Sequence, residues 1–288
     1  MNKQNLFTAS KNQLRIWKHS LEAASRWKRL SFANIPPIFG NAFQKSGSHL
    51  LLQILYGIME IAPYRHLEQA PVRMITAEGR HRSMREILSD LSKLKPGIIK
   101  WGYLRYQPEF VEFFENHPQI APLFIYRDPR DQLISSIFYA VDIHKQHAQH
   151  DYYSSISMDE RIKTAILGRK VPGLEFLPSI RVQYDRILGW LTTPGMLSFQ
   201  FEDLVNDPRP QLERLLDFLE TKNIPIQVDR ETALKTILDA IQPEKSPTFR
   251  KGKSGGWRDH FSDKHIQIFK DAAGDLLIEL GYETDNDW

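Results

Sequence analysis

The residues from Ile38 to Ile61 read IFGNAFQKSGSHLLLQILYGIMEI, and the fold class can be predicted from the pattern of this segment. The short apolar run Ile38–Phe43 predicts a β-strand, and the apolar periodicity from Ser48 to Ile61 predicts a helix. The turn between them places backbone N–H groups at a helix N-terminus, where the helix dipole favours an anion. The pattern therefore predicts a strand–turn–helix unit that can bind phosphate.

The turn itself has suitable chemistry for an anion. Lys45 supplies a positive charge, Ser46 and Ser48 supply hydroxyl donors, and Gly47 allows a ligand to approach the backbone closely. The turn is not a Walker A loop, because its lysine precedes the glycine. An ordinary strand-to-helix turn with an incidental lysine would have the same composition, so this segment alone leaves both interpretations open.

Outward from this unit, short apolar strands alternate with amphipathic helices. Further strands are predicted at Val72–Thr76, Gly97–Trp101, Ala121–Tyr126 and Met196–Phe201. Helices are predicted at Ser83–Leu94, Pro108–Asn116, Pro129–His144, Met158–Gly168, Leu177–Trp190, Pro208–Leu219 and Ser262–Leu280. The alternation predicts an α/β fold, a P-loop-like three-layer α/β/α arrangement with a central parallel sheet flanked by helices. Ligands are expected beyond the carboxyl ends of its strands.

The size of the chain fits one domain over residues 1–288, with a helical N-terminal extension over 1–34 and a ligand-covering loop over 242–261. There is no cysteine, which excludes disulfides, thiolate metal sites and a cysteine nucleophile. The net charge of +3 is too small to indicate a nucleic-acid partner, but it suits an anionic ligand. The apolar stretch Leu50–Ala62 is too short to span a bilayer and the N-terminus lacks a signal-peptide core, so we expect a cytoplasmic protein without a membrane partner.

Two further segments predict phosphate contacts. In FIYRDPRD, residues 124–131, Arg127 ends a strand and Asp128 is a plausible N-cap, with Ser135 two turns into the next helix. A surface arginine paired with a neighbouring aspartate is the alternative interpretation. In RKGKSGGW, residues 250–257, three cations and three glycines can fold over a phosphate, although a solvated charged loop has the same composition.

Together the three segments resemble the cytosolic-type sulfotransferase family, in a bacterial-like form. The family motifs read roughly P-K-S-G-T-T/H, then Y-R-x-P-x-D with a serine eight residues after the arginine, then R-K-G-x-x-G-x-W. Order, spacing and setting match over about residues 36 to 270. The resemblance implies sulfuryl transfer from 3′-phosphoadenosine-5′-phosphosulfate (PAPS), without a metal, to a hydroxyl or amine of a small-molecule acceptor such as a specialised metabolite. Adenosine 3′,5′-bisphosphate (PAP) is then the product.

The resemblance also implies residue roles. Residues of the first turn would hold the 5′-phosphosulfate, and residues of the other two segments would hold the 3′-phosphate, with an aromatic side chain near the adenine. The residues implied for the 5′-phosphosulfate are Lys45, Ser46, Gly47, Ser48 and His49. Those implied for the 3′-phosphate are Arg127, Ser135, Arg250, Lys251 and Gly252, and the aromatic residue near the adenine is Phe201. Leu50 stands where many animal members have a tryptophan that packs on adenine. The dimer signature of animal members is not recognisable, so the oligomeric state stays open.

One departure concerns the mechanism. The family commonly has a proton-accepting histidine at the end of the strand before the second motif, and this chain has Tyr103 there. An ordinary tyrosine is a poor base at neutral pH, but Lys45 or Lys100 could lower its pKa. Three interpretations stay open: Tyr103 serves as base or relay, another group replaces it, or the acceptor needs little help from a base. The candidate replacements are His49, His81, Glu78 and Glu202.

Two other functions compete with the transferase. A P-loop-like nucleotide kinase would share the architecture, but it requires a Walker A Gly-Lys-Ser/Thr sequence and a magnesium-binding carboxylate, and neither is in place. A catalytically silent nucleotide-binding protein is suggested by the missing histidine. Turnover of the sulfuryl donor distinguishes this second alternative from the enzyme.

Overall fold

The computed structural model describes residues 18, 20–76, 79–170, 177–245 and 254–288. The strands are β1 (Ile38–Ala42), β2 (His66–Leu67), β3 (Val72–Arg73), β4 (Ile98–Tyr103), β5 (Ala121–Tyr126) and β6 (Leu197–Gln200). The first six helices are α1 (Ser48–Ile61), α2 (Met84–Leu91), α3 (Pro108–Glu115), α4 (Pro129–Phe138), α5 (His150–Ser154) and α6 (Met158–Leu167). The remaining six are α7 (Ile180–Asp185), α8 (Phe201–Asn206), α9 (Pro208–Thr221), α10 (Arg230–Ala240), α11 (Asp263–Ala273) and α12 (Leu276–Glu279).

The six described strands form one parallel sheet. Its order is β2-β4-β1-β5-β6, and β3 pairs with β4 beyond the end of β2. In the register of the central strand β1, Ile38 lies between Ile99 of β4 and Ala121 of β5. Because all pairs are parallel, the carboxyl ends of the strands meet at one edge, as the alternating sequence predicted.

Buried side chains cover both faces of the sheet. On one face Ile38 of β1 and Ile125 of β5 belong to a core that includes residues of α1, α9 and α10. On the other face Phe39 and Phe124 belong to a second core, which includes residues of α3, α4, α6 and α11. Adjacent strand residues point to opposite faces, so each strand supplies both cores. The predicted α/β class, with a central parallel sheet flanked by helices, is confirmed.

Most predicted elements are shorter than the sequence suggested, and in four of them the backbone leaves the predicted structure within the element. The helix predicted from Pro129 to His144 ends at Phe138 and continues as a π-helical turn over Tyr139–Ile143. The last predicted helix divides into α11 and α12, because Gly274 has φ 55° and ψ −131°. The predicted Val72–Thr76 strand stops at Arg73, since Ile75 forms an antiparallel bridge with His81.

The fourth is the helix predicted from Leu177 to Trp190, which consists of α7 followed by a 3₁₀ turn over Leu188–Thr192. Helix α10 was not predicted. It packs so closely on α1 that a Cβ added to Gly57 would lie 2.8 Å from the Cα of Ile237.

The described part of the N-terminal extension is helical over residues 20–26. It is linked to α1 by an ion pair in which Arg26 Nη1 donates to Glu60 Oε1 at 2.8 Å. Residues 1–17, which make up half of the predicted extension, lie outside the described residues. Of the helices in the described segments, none combines the length and apolarity that crossing a membrane requires.

Candidate active site

A cavity of about 650 Å³ lies at the carboxyl edge of the sheet. Residues that end or directly follow five strands line it, namely Arg73, Tyr103, Lys45, Arg127 and Phe201. The first two predicted segments therefore meet in one cavity. Gly256, from the described end of the third segment, lines the same cavity. The convergence of these turns at one edge of the sheet was the central expectation from the sequence.

The turn after β1 has a strained backbone that presents α1 to the cavity. Lys45 has φ 63°, and Gly47, the residue before α1, has φ 97° and ψ 29°. Gly47 also has no room for a side chain: an added Cβ would lie 2.5 Å from Phe201 Cδ2 and 3.1 Å from Ile125 Cδ1. The sequence motif thus requires glycine here for two reasons, the left-handed backbone and the close approach of Phe201.

We expect Gly47→Ala to lower the free energy of unfolding by about 2–4 kcal/mol, of which about 1 kcal/mol is left-handed backbone strain and the rest is overpacking. Chemical denaturation measures the change. Gly195→Ala is the matched control, because Gly195 has φ 74° but its added Cβ would meet only Lys222 Nζ, at 3.7 Å. Equal losses in the two variants would show that Phe201 does not constrain the turn.

Lys45 places its ammonium at the cavity, 4.2 Å from the centre of the Tyr139 ring. Burial lowers the pKa of Lys45 to about 8, and the nearby positive charge of Arg127 contributes to the shift. The pKa of His49 is also lowered, first by burial and then by the charge of Lys45. The cavity therefore has an excess of positive charge that an anionic ligand would relieve.

Arg127 follows β5, as predicted, and its carbonyl oxygen accepts a hydrogen bond from the Tyr184 hydroxyl at 2.7 Å. Its guanidinium lies 4.5 Å from the centre of the Phe201 ring. The guanidinium lies 3.6 Å from Asp131 Oδ2 and 3.8 Å from Glu202 Oε1, longer than a charge-assisted hydrogen bond of about 2.8 Å. Arg127 thus forms an ion pair with Asp131, as the alternative interpretation of the sequence predicted. It nevertheless lines the cavity.

Asp128 caps α4, as predicted, and accepts the Arg130 backbone N–H at 2.8 Å. The Arg130 guanidinium lies 4.3 Å from the centre of the Trp257 ring and 4.6 Å from that of the Trp288 ring. These contacts link the start of α4 to the end of the third segment.

Asp131 forms hydrogen bonds that hold the described end of the third segment, at Gly255 and Trp257, beside Arg127. Its Oδ2 accepts the Gly255 N–H and its Oδ1 accepts the Trp257 N–H, both at 2.8 Å. Arg250, Lys251 and Gly252 of the predicted site lie outside the described residues. The chain that follows them is therefore attached beside Arg127 at the cavity.

Tyr103 ends β4 and donates a hydrogen bond to Ser48 Oγ at 3.1 Å. Burial raises the pKa of Tyr103, although the Ser48 hydrogen bond and the charge of Arg73 oppose the shift. The direction is opposite to the lowering that a role as base would need. Lys100 does not line the cavity: it is buried, lies 2.9 Å from Glu68 Oε2 and donates to the Asp90 carbonyl at 3.1 Å.

The other predicted residues divide into two groups. Those at the cavity are Gly47, Ser48, His49, Leu50, Ser135 and Phe201. Ser46 is buried inside the turn, and Glu202 is buried beside Arg127, where burial raises its pKa to about 7; neither lines the cavity. His81 is exposed away from it, and Glu78 lies outside the described residues. Of the proposed replacement bases, His49 is the one that the described structure places at the cavity.

Sequence reasoning missed the cavity residues Arg73 and Arg105; His144 and His147, which sequence spacing places in a solvated or acceptor-site segment, also line the cavity. The two histidines, spaced i, i+3, follow the π-helical turn, and the ring of His144 stacks on Tyr139 with centres 5.6 Å apart. Arg73 and Arg105 belong to no motif. They are found only through the register that pairs Arg73 with Tyr103.

The fold and the cavity define an α/β protein with a cavity rich in cationic side chains at the carboxyl edge of a parallel sheet. The sulfotransferase domain family matches residues 36–281, so the chain belongs to the sulfotransferase family. It is 24% identical to a 3-alpha-hydroxysteroid sulfotransferase of Cavia porcellus over 174 residues, and the alignment covers 54% of this chain and 55% of that protein. It is 31% identical to human sulfotransferase 1E1 over 109 residues, covering 29% of this chain and 37% of the relative.

The chain thus spans about half the length, or less, of these curated relatives. Among solved structures, mouse sulfotransferase SULT7A1, crystallised in complex with PAP, superposes with a TM-score of 0.57 at 17% identity. That superposition covers 85% of this chain and 87% of the mouse protein, and it supports the same fold.

Proposed function

We propose that this protein transfers the sulfuryl group of PAPS to a hydroxyl or amine of a small-molecule acceptor. The observation that carries the proposal is the cavity in which Lys45 and Arg127 meet, in a chain that belongs to the sulfotransferase family. Two separated cationic groups at one sheet edge suit a nucleotide that carries phosphate at both its 3′ and 5′ positions.

The donor would lie along the carboxyl ends of β1, β5 and β6. Lys45 and the N–H groups at the start of α1 suit the 5′-phosphosulfate, because the helix dipole and the ammonium both favour an anion there. Arg127 and Ser135 suit the 3′-phosphate, and the resemblance assigns Arg250, Lys251 and Gly252 to the same phosphate. Phe201 offers an aromatic face to the adenine, and Leu50 offers an apolar contact.

In the transfer step a bond forms between the acceptor atom and sulfur, while the bond from sulfur to the bridging 5′-phosphate oxygen breaks. The electron pair of the broken bond stays on the phosphate, which leaves as PAP. Lys45 stabilises the negative charge that develops on this oxygen, and the remaining contacts align the reactants. The acceptor loses one proton, which a protein group must take up.

We assign this proton to His49 and a positioning role to Tyr103. Tyr103 has a raised pKa and uses its hydroxyl to donate to Ser48, so it is protonated at neutral pH. His49 lines the cavity, and its lowered pKa keeps the imidazole neutral and able to accept a proton at pH 7.

We expect His49→Asn to lower kcat about a hundredfold, the usual contribution of a general base, and Tyr103→Phe to lower it about tenfold. The pH profile of kcat separates the two roles. Wild type and Tyr103→Phe should lose activity in acid as His49 protonates, whereas His49→Asn should lack this acid limb. A limb near pH 10 that disappears in Tyr103→Phe would instead make the tyrosine the base.

Calorimetry with PAP, followed by turnover of labelled PAPS with an acceptor panel, tests the proposed function. Binding of PAP in preference to ADP, together with transfer of label, supports it. Binding without transfer to any acceptor would favour a silent nucleotide-binding protein. Transfer of phosphate from ATP would favour the kinase alternative.

A further inference from the structure

The described lining of the cavity has more positively charged than negatively charged side chains. Its described lining includes four cations, Lys45, Arg73, Arg105 and Arg127, together with three histidines. Asp131 is the single carboxylate among the described lining residues, and it already accepts two N–H groups of the third segment and faces Arg127. Lys45 and Arg127 have roles in the donor site, whereas Arg73 and Arg105 have none.

The sheet order separates Arg73 from the strand that leads to Arg127. Arg73 ends β3, and β4 and β1 lie between β3 and the strand that leads to Arg127. With neighbouring strands about 4.8 Å apart, three steps place Arg73 roughly 14 Å from β5. Arg73 is therefore too distant to contribute to the proposed 3′-phosphate site.

Both arginines lie instead on the Tyr103 side of the cavity. Arg73 pairs with Tyr103 in the strand register, and its charge acts on the Tyr103 hydroxyl. Arg105 follows two residues later, and its backbone N–H donates to the Met74 sulfur at 3.4 Å. Met74 and Ile75, which follow Arg73 in the chain, also line the cavity, so it has apolar lining next to the two arginine residues.

The geometry points to an acceptor that carries an anionic group, a carboxylate or a similar anion, on an apolar body. Its anion would be bound by Arg73 and Arg105, and its apolar body would lie on Met74 and Ile75. Its hydroxyl or amine would then reach the region of Tyr103, Ser48 and His49, where sulfur is proposed to transfer. This inference rests on the proposed function, since it names the acceptor class for the same cavity.

Matched pairs of ligands test the inference. The probes are 3-(4-hydroxyphenyl)propionate, 12-hydroxydodecanoate and a hydroxysteroid carboxylate, each compared with its neutral methyl ester. Binding is measured by calorimetry with ligand-free and with PAP-saturated protein. We expect at least one carboxylate to bind about tenfold or more tightly than its ester, the effect of one charge-assisted hydrogen bond.

Arg73→Gln should reduce this preference to about threefold or less, because the neutral amide retains polarity but loses the charge. Arg230→Gln is the matched control. Arg230 is exposed, pairs with Asp217 and is the first residue of α10, at the end of that helix which is remote from the cavity. The preference of Arg230→Gln for the carboxylate over the ester should equal that of the wild-type protein. Absence of preference for the anion in all three pairs, or a preference unchanged by Arg73→Gln, would overturn the inference.

Failure of the proposed function would look different. It would appear as absence of PAP binding, whereas the comparison of carboxylate with ester can be made on the ligand-free protein. A preference for the anion that depends on Arg73 and persists without PAP binding would support the anion site at Arg73 and contradict the donor assignment.

Discussion

Replacing Arg127 with alanine is expected to weaken PAP binding by a factor of about a hundred to a thousand, or about 3–4 kcal/mol, since a bidentate charge-assisted contact with phosphate is lost. Only 14% of the Arg127 side chain is exposed, and it is oriented by the Phe201 ring, so the guanidinium is preorganised for its ligand. Isothermal titration calorimetry at low salt measures the change. Arg127→Lys should recover only part of the affinity, because an ammonium keeps the charge and loses the planar fork.

Two controls keep this result interpretable. Arg230→Ala removes the same charge from an exposed site on α10 and should leave PAP affinity unchanged. The thermal unfolding of Arg127→Ala, measured without ligand, reports whether loss of the contacts to Asp131 and Glu202 has unfolded the protein. A folded Arg127→Ala variant that binds PAP like wild type would remove the central assignment of the second motif.

The elements nearest the cavity were the most predictable from sequence. The bounds of α1 and β5 agree with the prediction residue for residue, because each has a strong local signal. In α1 it is the glycine and serine before an apolar helix, and in β5 it is a short apolar run followed by Asp128 and Pro129. The strands and turns that line the cavity were therefore located before any tertiary contact was known.

Elements whose ends depend on tertiary contacts were predicted less well. The apolar periodicity continues across Gly274, so nothing local showed that the backbone leaves the helical region there. The Val72–Thr76 run looks like one strand, yet only two of its residues pair with β4, because Ile75 turns back to His81. Helix α10 is held by close packing on α1, a contact that sequence periodicity does not reveal.

The site divides in the same way. Lys45, Gly47 and Arg127 stand in motifs with fixed spacing, so a single sequence was enough to bring them together. Arg73 and Arg105 have no such context, and they join the cavity only because β3 pairs with β4 at its carboxyl end. The sequence did not show which way the Lys100 side chain points from its strand. In the structure this side chain contacts Glu68 and does not line the cavity. Motifs thus predict the donor side, whereas sheet topology defines the proposed acceptor side.

Replacing Lys45 with methionine is expected to lower kcat for sulfuryl transfer by a factor of about a hundred to a thousand, the range seen when one donor to a developing oxyanion is removed. Methionine keeps an unbranched, apolar side chain of similar length, so the turn and its contact with Tyr139 should persist. Transfer of label from PAPS to an acceptor measures kcat, and calorimetry measures PAP affinity. Lys235→Met removes an exposed lysine from α10 and should change neither quantity.

The pH dependence of PAP affinity distinguishes a charged role of Lys45 from a merely structural one. In the free protein the Lys45 pKa is about 8, chiefly because of burial, and a bound phosphate would raise it. Below pH 8 the ammonium is already present, so affinity should be constant over about one unit near pH 7. Above pH 8 binding must take up a proton, so affinity should fall by as much as about tenfold per pH unit. Lys45→Met should abolish this fall; a fall that persists in the variant would assign the titration to another group and leave Lys45 without its proposed role.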